Sequence, residues 1–323
     1  MQMLVVLFLY LGLKAPPKEK TMNGKINHLS QIAYARRYTL TEGAEAGIKV
    51  VEVYNGRIRY LLNESKALDM MQLFDGEVNM SFLSKNGFHL ANLEYKRRFE
   101  GGMLYTCGLD NAGSRDGYEV HGTLHTTPAT ITEISVTEDE IKVVGTVRAS
   151  ALFEGNLLFT RTITTKVGSG SVTISDTLEN QGYTDSEYCL LYHVNVGYPM
   201  LDEGVRIVQD EKSVLPRNDW AKVKFDGRNT LTDSVDGEEE QCYYITHKTP
   251  HVEVVNDRIG RRFSLDYSKD TLPYFVQWNS RMSGDYAQGL EPTTTFLDDT
   301  FKRNKISVGE KVNFFVKFTV DRF

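Results

Sequence analysis

The sequence predicts an all-β protein, a large antiparallel β-sandwich, and three observations carry the prediction. From Gly47 onward apolar residues recur with period two, which sends successive side chains to opposite faces of a strand. Turn-forming pairs punctuate these runs at Asn55-Gly56, Asp75-Gly76, Asn86-Gly87, Asp226-Gly227 and Asp236-Gly237, and such pairs accept the positive φ of tight hairpins. Long amphipathic helical stretches are missing from the sequence.

In chain order, residues 3–13 (MLVVLFLYLGL) form an apolar run followed by Lys14 and Pro16-Pro17. The run is too short to span a bilayer comfortably, no Lys or Arg precedes it, and no small-residue cleavage site follows. Residues 1–21 are therefore expected to be an N-terminal apolar extension or a signal-like segment, with one β-sandwich domain over residues 22–323. Residues 27–37 and 65–74 predict short helices. Strands are predicted at Ile141-Val143-Gly145-Val147, at Val172-Ile174 continuing to Leu178, and at Phe263-Leu265-Tyr267, with Gly168-Ser169-Gly170 as a turn before the second of them. The acidic stretch 233–240 (DSVDGEEE) reads as an exposed loop. Val312, Phe314, Val316, Phe318 and Val320 alternate with Asn313, Phe315, Lys317 and Thr319, the pattern of a half-buried C-terminal strand.

With 323 residues the chain can bury a large core without staples. A mean hydropathy of −0.35 argues against a polytopic membrane protein. The net charge of −6 and a pI near 5.7 leave no basic field to hold phosphates, so nucleic acid is not an expected partner. Cys107, Cys189 and Cys242 are odd in number and form no CxxC pair, which indicates neither a disulfide framework nor a structural zinc site. A reducing, cytoplasmic location is the simpler reading, with export as the alternative if the apolar segment is a signal peptide.

Four segments depart from the strand-and-turn pattern. Residues 107–128 (CGLDNAGSRDGYEVHGTLHTTP) are too long and glycine-rich for a hairpin and carry Asn111, Arg115, His121 and His125. In residues 190–202 (LLYHVNVGYPMLD), His193 and Asn195 lie two apart on a strand and so share a face, while Tyr192 and Val194 point the other way. Glu291 is followed by Pro292, which holds it in extended backbone and presents its carboxylate rigidly. Trp278 stands between Gln277 and Asn279, an aromatic face for the C–H face of a sugar beside amides for its hydroxyls. His121, His125, His193 and Glu291 could together bind a divalent metal, but the HxH spacing of a strand-borne pair is missing, and the preferred reading has no metal. No GxSxG, P-loop or GxGxxG motif occurs.

Together the segments TCGLDNAG (106–113), HGTLHTTPA (121–129), LLYHVNVGYPMLDEG (190–204) and GLEP (289–292) resemble the galactose mutarotase-like superfamily, and more closely its branch of aldose 1-epimerase family proteins. The resemblance extends weakly from about Met22 to the C-terminus. It implies a β-supersandwich with a small-molecule carbohydrate in a cleft and an isomerase that interconverts anomers without a cofactor. By motif, His193 is implied as the general acid and Glu291 as the general base, and His121 as a contact to sugar hydroxyls. Asn111, Arg115, Asn195, Gln277 and Trp278 complete the expected sugar contacts. The aspartate with which characterised mutarotases hold sugar hydroxyls has no counterpart here. Two alternatives remain open at this stage, a non-catalytic carbohydrate-binding protein and an epimerase or isomerase of a sugar acid.

Overall fold

The period-two runs become strands in the computed structural model, which describes residues 24–323. The expected extension over residues 1–21 lies outside the described residues. An N-terminal antiparallel meander comprises β1 (Tyr34–Thr39), β2 (Lys49–Tyr54), β3 (Ile58–Asn63), β4 (Asp69–Asp75) and β5 (Val78–Asn79), hydrogen-bonded in that order. The main sheet begins with β6 (Leu104–Leu109), β7 (Thr130–Val136), β8 (Glu140–Ser150), β9 (Asn156–Lys166), β10 (Ser171–Asn180) and β11 (Ser186–Val196). It continues with β12 (Arg206–Pro216), β13 (Gln241–Asn256), β14 (Arg261–Tyr267), β15 (Tyr274–Ser280), β16 (Ala287–Thr293), β17 (Asn304–Ile306) and β18 (Lys311–Arg322).

The spatial order is β17-β11-β16-β15-β13-β14-β18-β10-β9-β8-β7, with β6 added to β11 and β12 to β13. A sheet this wide twists and curls, because each strand is rotated relative to its neighbour. Among the described residues helix is confined to short pieces, including α1 (Tyr95–Arg98) and α2 (Asp219–Val223). Among the described residues no helix is long and apolar enough to cross a membrane.

The predicted alternation is borne out in β18, where Phe314, Val316, Phe318 and Val320 are buried. Asn55-Gly56 turns β2 into β3, Asp75-Gly76 turns β4 into β5, and Gly168-Ser169-Gly170 turns β9 into β10. Asp226-Gly227 instead closes a short 3-10 turn (Phe225–Gly227), and Asn86-Gly87 bends the long connection between β5 and β6.

Both predicted helices are corrected. Residues 27–37 hold only a 3-10 turn (Leu29–Gln31) before β1, which pairs along β2 from Tyr34↔Tyr54. Residues 65–74 contain most of β4, paired with β3. A short apolar run such as Met70 to Leu73 does not decide between helix and strand by itself. The neighbouring ladder decides it here.

One apolar cluster spans both sheets, joining Val51, Tyr60 and Leu73 to Phe159, Phe263 and Phe318. Between the sheets lies a buried network of six ionisable groups. The fully buried Arg161 donates to Asp176 at 2.8 Å and to Asp69, whose other oxygen lies 2.6 Å from His125 Nδ1; Lys66 pairs with Glu100, 3.3 Å from His125 Nε2. Burial alone would push the Asp69 carboxyl up, but Arg161 and His125 outweigh it and hold the group below the ordinary carboxylate value. Burial would likewise push His125 down, but hydrogen bonds to Asp69 and Glu100 outweigh it and raise the imidazole. Three basic and three acidic side chains thus pair with one another in the interior.

Candidate active site

Two neighbouring strands place the central pair. β11 and β16 run antiparallel with Leu191 opposite Thr293 and Val194 opposite Leu290, a register that sets His193 beside Glu291. His193 Nε2 lies 3.3 Å from Glu291 Oε1, and both residues are buried. On the far side of His193, β6 places Tyr105 opposite it; on the far side of Glu291, β15 places Val276 opposite it. Directly opposed residues share a face, so this row is one surface of the sheet.

That surface is the floor of a cavity of about 1050 Å³. Trp278 lies on it with its ring centroid 5.5 Å from that of His193. The walls come from three connections: His121 after β6, Tyr95 and Phe99 on or beside α1, and Arg217 with Glu240 between β12 and β13.

Gly289 explains the glycine of GLEP. It has ordinary backbone, but a Cβ there would lie 2.5 Å from Glu291 Oε1 and 2.9 Å from Trp278 Cβ. The carboxylate folds back over the glycine two residues before it. Gly289→Ala is expected to displace that carboxylate and lower turnover about 10²-fold, the typical cost of a misplaced catalytic group. The 2.9 Å approach to Trp278 Cβ should lower the urea midpoint as well, and unaltered turnover of the folded variant would show that the carboxylate does no chemistry from this position.

Burial pushes the Glu291 carboxyl well above the usual range, and the Glu240 charge adds to the effect. Burial also pulls the His193 imidazole down to about 3, with His121 adding to it. Both shifts favour the uncharged pair, a protonated carboxyl beside a neutral imidazole. The ring carbon and nitrogen shifts of His193 in NMR should stay those of a neutral imidazole down to about pH 5. A midpoint near the ordinary 6.5 would contradict this. The depressed value also carries a stability consequence. Unfolded chain takes up the proton below about 6.5 while folded chain does not, so this group's contribution is present above 6.5 and lost as pH falls toward about 3.

His121 occupies left-handed backbone at φ +65°, followed by Gly122 at φ +76°. A Cβ on Gly122 would meet the carbonyl oxygens of Asn111 and Gly108 at 2.5 Å, so only glycine fits the packed turn. The His121 backbone is strained, which the surrounding turn must enforce. Its Nδ1 accepts from the Gly113 amide at 3.3 Å, and burial lowers its pKa to about 4. The neutral ring thus carries its proton on Nε2 as a donor.

The sequence-predicted residues separate into two groups. His193, Glu291, His121 and Trp278 meet at the cavity. Asn111, Arg115, Asn195 and Gln277 do not line it. Asn111 donates at 2.9 Å to the carbonyls of Gly113 and Glu119 and holds the loop that carries His121. Arg115 packs over the Phe301 ring at 3.6 Å and donates to the Asp298 carbonyl. Asn195 shares the His193 face but is fully buried, donating to the Gly102 and His193 carbonyls, and its side chain interacts with the imidazole. Gln277 points to the opposite face from Trp278, where it bonds Gln209 at 2.8 Å and the Arg228 carbonyl at 3.1 Å. Each of these amides and this guanidinium satisfies protein groups, which is why their expected place as sugar contacts is not where the structure puts them. His125 belongs to the buried ionic network rather than to the cavity.

Sequence reasoning missed the polar wall. Glu240, at the end of the predicted acidic loop, accepts from Arg217 at 2.6 Å and from Trp278 Nε1 at 2.7 Å. Burial would raise its pKa, but Arg217 and Trp278 outweigh that and keep it ionised. It also missed Tyr95 and Phe99, whose rings lie 5.2 Å from His121 and 5.5 Å from His193. Neither pair sits in a periodic run that would have marked it.

The fold is the galactose mutarotase-like β-sandwich. Over residues 45–310 the chain matches the family described as a domain of unknown function, DUF4432, and it belongs to that family. Among solved structures it is similar to a Klebsiella pneumoniae protein provisionally assigned as an aldose 1-epimerase, at a TM-score of 0.81 and 22% identity over 88% of this chain and 83% of that one. It is also similar to a galactose mutarotase-like protein from Clostridium acetobutylicum, at a TM-score of 0.65 and 11% identity over 91% and 100% of the two chains. A Salmonella typhimurium protein provisionally assigned as a mutarotase gives 0.65 and 12% over 92% and 96%. No curated protein matches the chain.

Proposed function

We propose that the protein interconverts the anomers of an uncharged reducing sugar by general acid-base ring opening, with Glu291 as base and His193 as acid. The observation that supports this reading most strongly is the 3.3 Å approach of His193 Nε2 to Glu291 Oε1 on the floor of the cavity. A cyclic hemiacetal carries its ring oxygen and its anomeric hydroxyl on one carbon, so its acid and base must stand side by side.

The reaction starts from the ion-pair form, with the proton moved from Glu291 to His193 Nε2: Glu291 then takes the proton of the anomeric hydroxyl while His193 gives its own to the ring oxygen. The bond from C1 to the ring oxygen breaks with its electron pair on that oxygen, and the anomeric oxygen becomes a carbonyl. Rotation about C1–C2 presents the other carbonyl face, and the two groups run the steps in reverse. Opening the ring leaves a protonated carboxyl and a neutral imidazole, which is the form burial favours. The dry floor thereby stabilises the open-chain stage. Trp278 offers an aromatic face to the ring, and the neutral His121 offers a donor to a hydroxyl.

The charge of the cavity selects against anionic sugars. Glu94, Glu238, Glu240 and Asp285 line it against Lys85, Lys96 and Arg217. Arg217 is already paired with Glu240, and Lys85 with Asp285 at 2.8 Å. An NMR exchange screen of neutral aldoses tests the reading: at least one should exchange anomers faster with protein than in buffer. Buffer rates for every sugar would overturn it, and solvent deuterium entering a C–H position would identify proton abstraction from carbon instead.

A further inference from the structure

A second cavity of about 330 Å³ adjoins the first and shares Glu238 with it. Its wall carries Trp220, the other of the chain's two tryptophans, on α2. The indole is held in place from two sides. Its Nε1 donates to the Glu239 carbonyl at 3.0 Å, and the Lys224 ammonium lies 4.6 Å from the ring centroid while pairing with Glu238 at 2.8 Å. Asn218 caps the helix by accepting from the Ala221 amide, which fixes the turn on which the ring stands.

A cavity near 1000 Å³ is at the upper end of what a drug-sized ligand fills, and one pyranose is far smaller. The main cavity therefore has room beyond the ring that His193 and Glu291 address. The second cavity, on the other side of Glu238, offers a fixed aromatic face with Asp236, Glu239 and Lys224 around it, the combination that holds a sugar ring by its C–H face and its hydroxyls. Carboxylates outnumber cations in this cavity as in the first, so it suits a neutral group rather than a phosphate or carboxylate.

Resting on the anomer-exchange reading, we infer that the substrate is a neutral reducing disaccharide or longer oligosaccharide, with the reducing-end ring over His193 and Glu291 and the next ring against Trp220. Only the reducing-end ring is a hemiacetal, so the second ring adds binding without entering the chemistry.

Calorimetric titration and NMR anomer exchange with cellobiose, maltose and lactose, against glucose and galactose, test this. The preferred disaccharide should bind about tenfold more tightly than its component monosaccharides, the order of one aromatic stacking contact. Trp220→Ala should remove that advantage and lower disaccharide kcat/KM by a similar factor, while monosaccharide turnover stays at the wild-type rate. Trp220→Phe should retain most of the advantage, which separates a lost ring from a lost fold. Disaccharides that bind no better than monosaccharides, or a Trp220→Ala effect equal on both, would overturn the inference. Exchange at the buffer rate for every sugar would instead overturn the anomer-exchange reading, and the titration still decides between one ring and two.

Discussion

Glu291→Gln is expected to lower catalysed anomer exchange by about 10²- to 10⁴-fold, the range in which positioned acids and bases contribute, while sugar binding persists. The amide keeps the size of the carboxylate but cannot take the hydroxyl proton. His193→Asn is expected to fall in the same range, because the pair handles one proton between two atoms 3.3 Å apart. For the same reason the double variant should be scarcely worse than either single one, as in other sites whose groups act as a unit. Multiplying losses would mean that the two residues act independently. Variants as active as wild type would place the chemistry elsewhere.

Arg161→Ala is expected to destabilise the fold by about 3–5 kcal/mol, the cost of removing one partner from a buried ion pair. Arg161 is fully enclosed and is shared by Asp69 and Asp176, with Tyr192 also donating to Asp176 at 2.7 Å. Without the guanidinium, two carboxylates remain in the interior with one fewer counter-charge, and Thr106 loses one of its partners. Adding Asp176→Asn to Arg161→Ala should recover part of the loss, since it removes one of the stranded charges. Urea unfolding reads both effects. A loss below about 1 kcal/mol would place the network among surface-like pairs that contribute little.

Period two was enough to read the strands, because alternating burial leaves its imprint on residues such as Phe314, Val316 and Phe318. It was not enough at residues 65–74, where nearly continuous burial erases the alternation and pairing with β3 makes the strand. His193 and Glu291 were legible as candidate residues, from a strand histidine and a proline-backed glutamate, and the roles proposed for them came from the family resemblance. Its proximity was not, since it depends on the register of two strands nearly a hundred residues apart in sequence.

Gln277 and Trp278 could have been separated in advance. Adjacent strand residues face opposite ways, so the two cannot both reach one cavity. Asn111 and Arg115 show a different limit, because an amide or guanidinium in a polar loop serves the backbone as readily as a ligand, and composition does not say which. Glu240 inverts the same lesson: one residue of an exposed acidic loop turns inward because Arg217 and Trp278 hold it.

The most direct test of the whole account is a crystal structure of the Glu291→Gln protein soaked with the best-exchanging sugar. The account requires the anomeric hydroxyl within hydrogen-bond distance of residue 291 and the ring oxygen within reach of His193 Nε2, with the ring beside Trp278. A sugar bound with its anomeric carbon turned away from both side chains, or held outside this cavity, would contradict it.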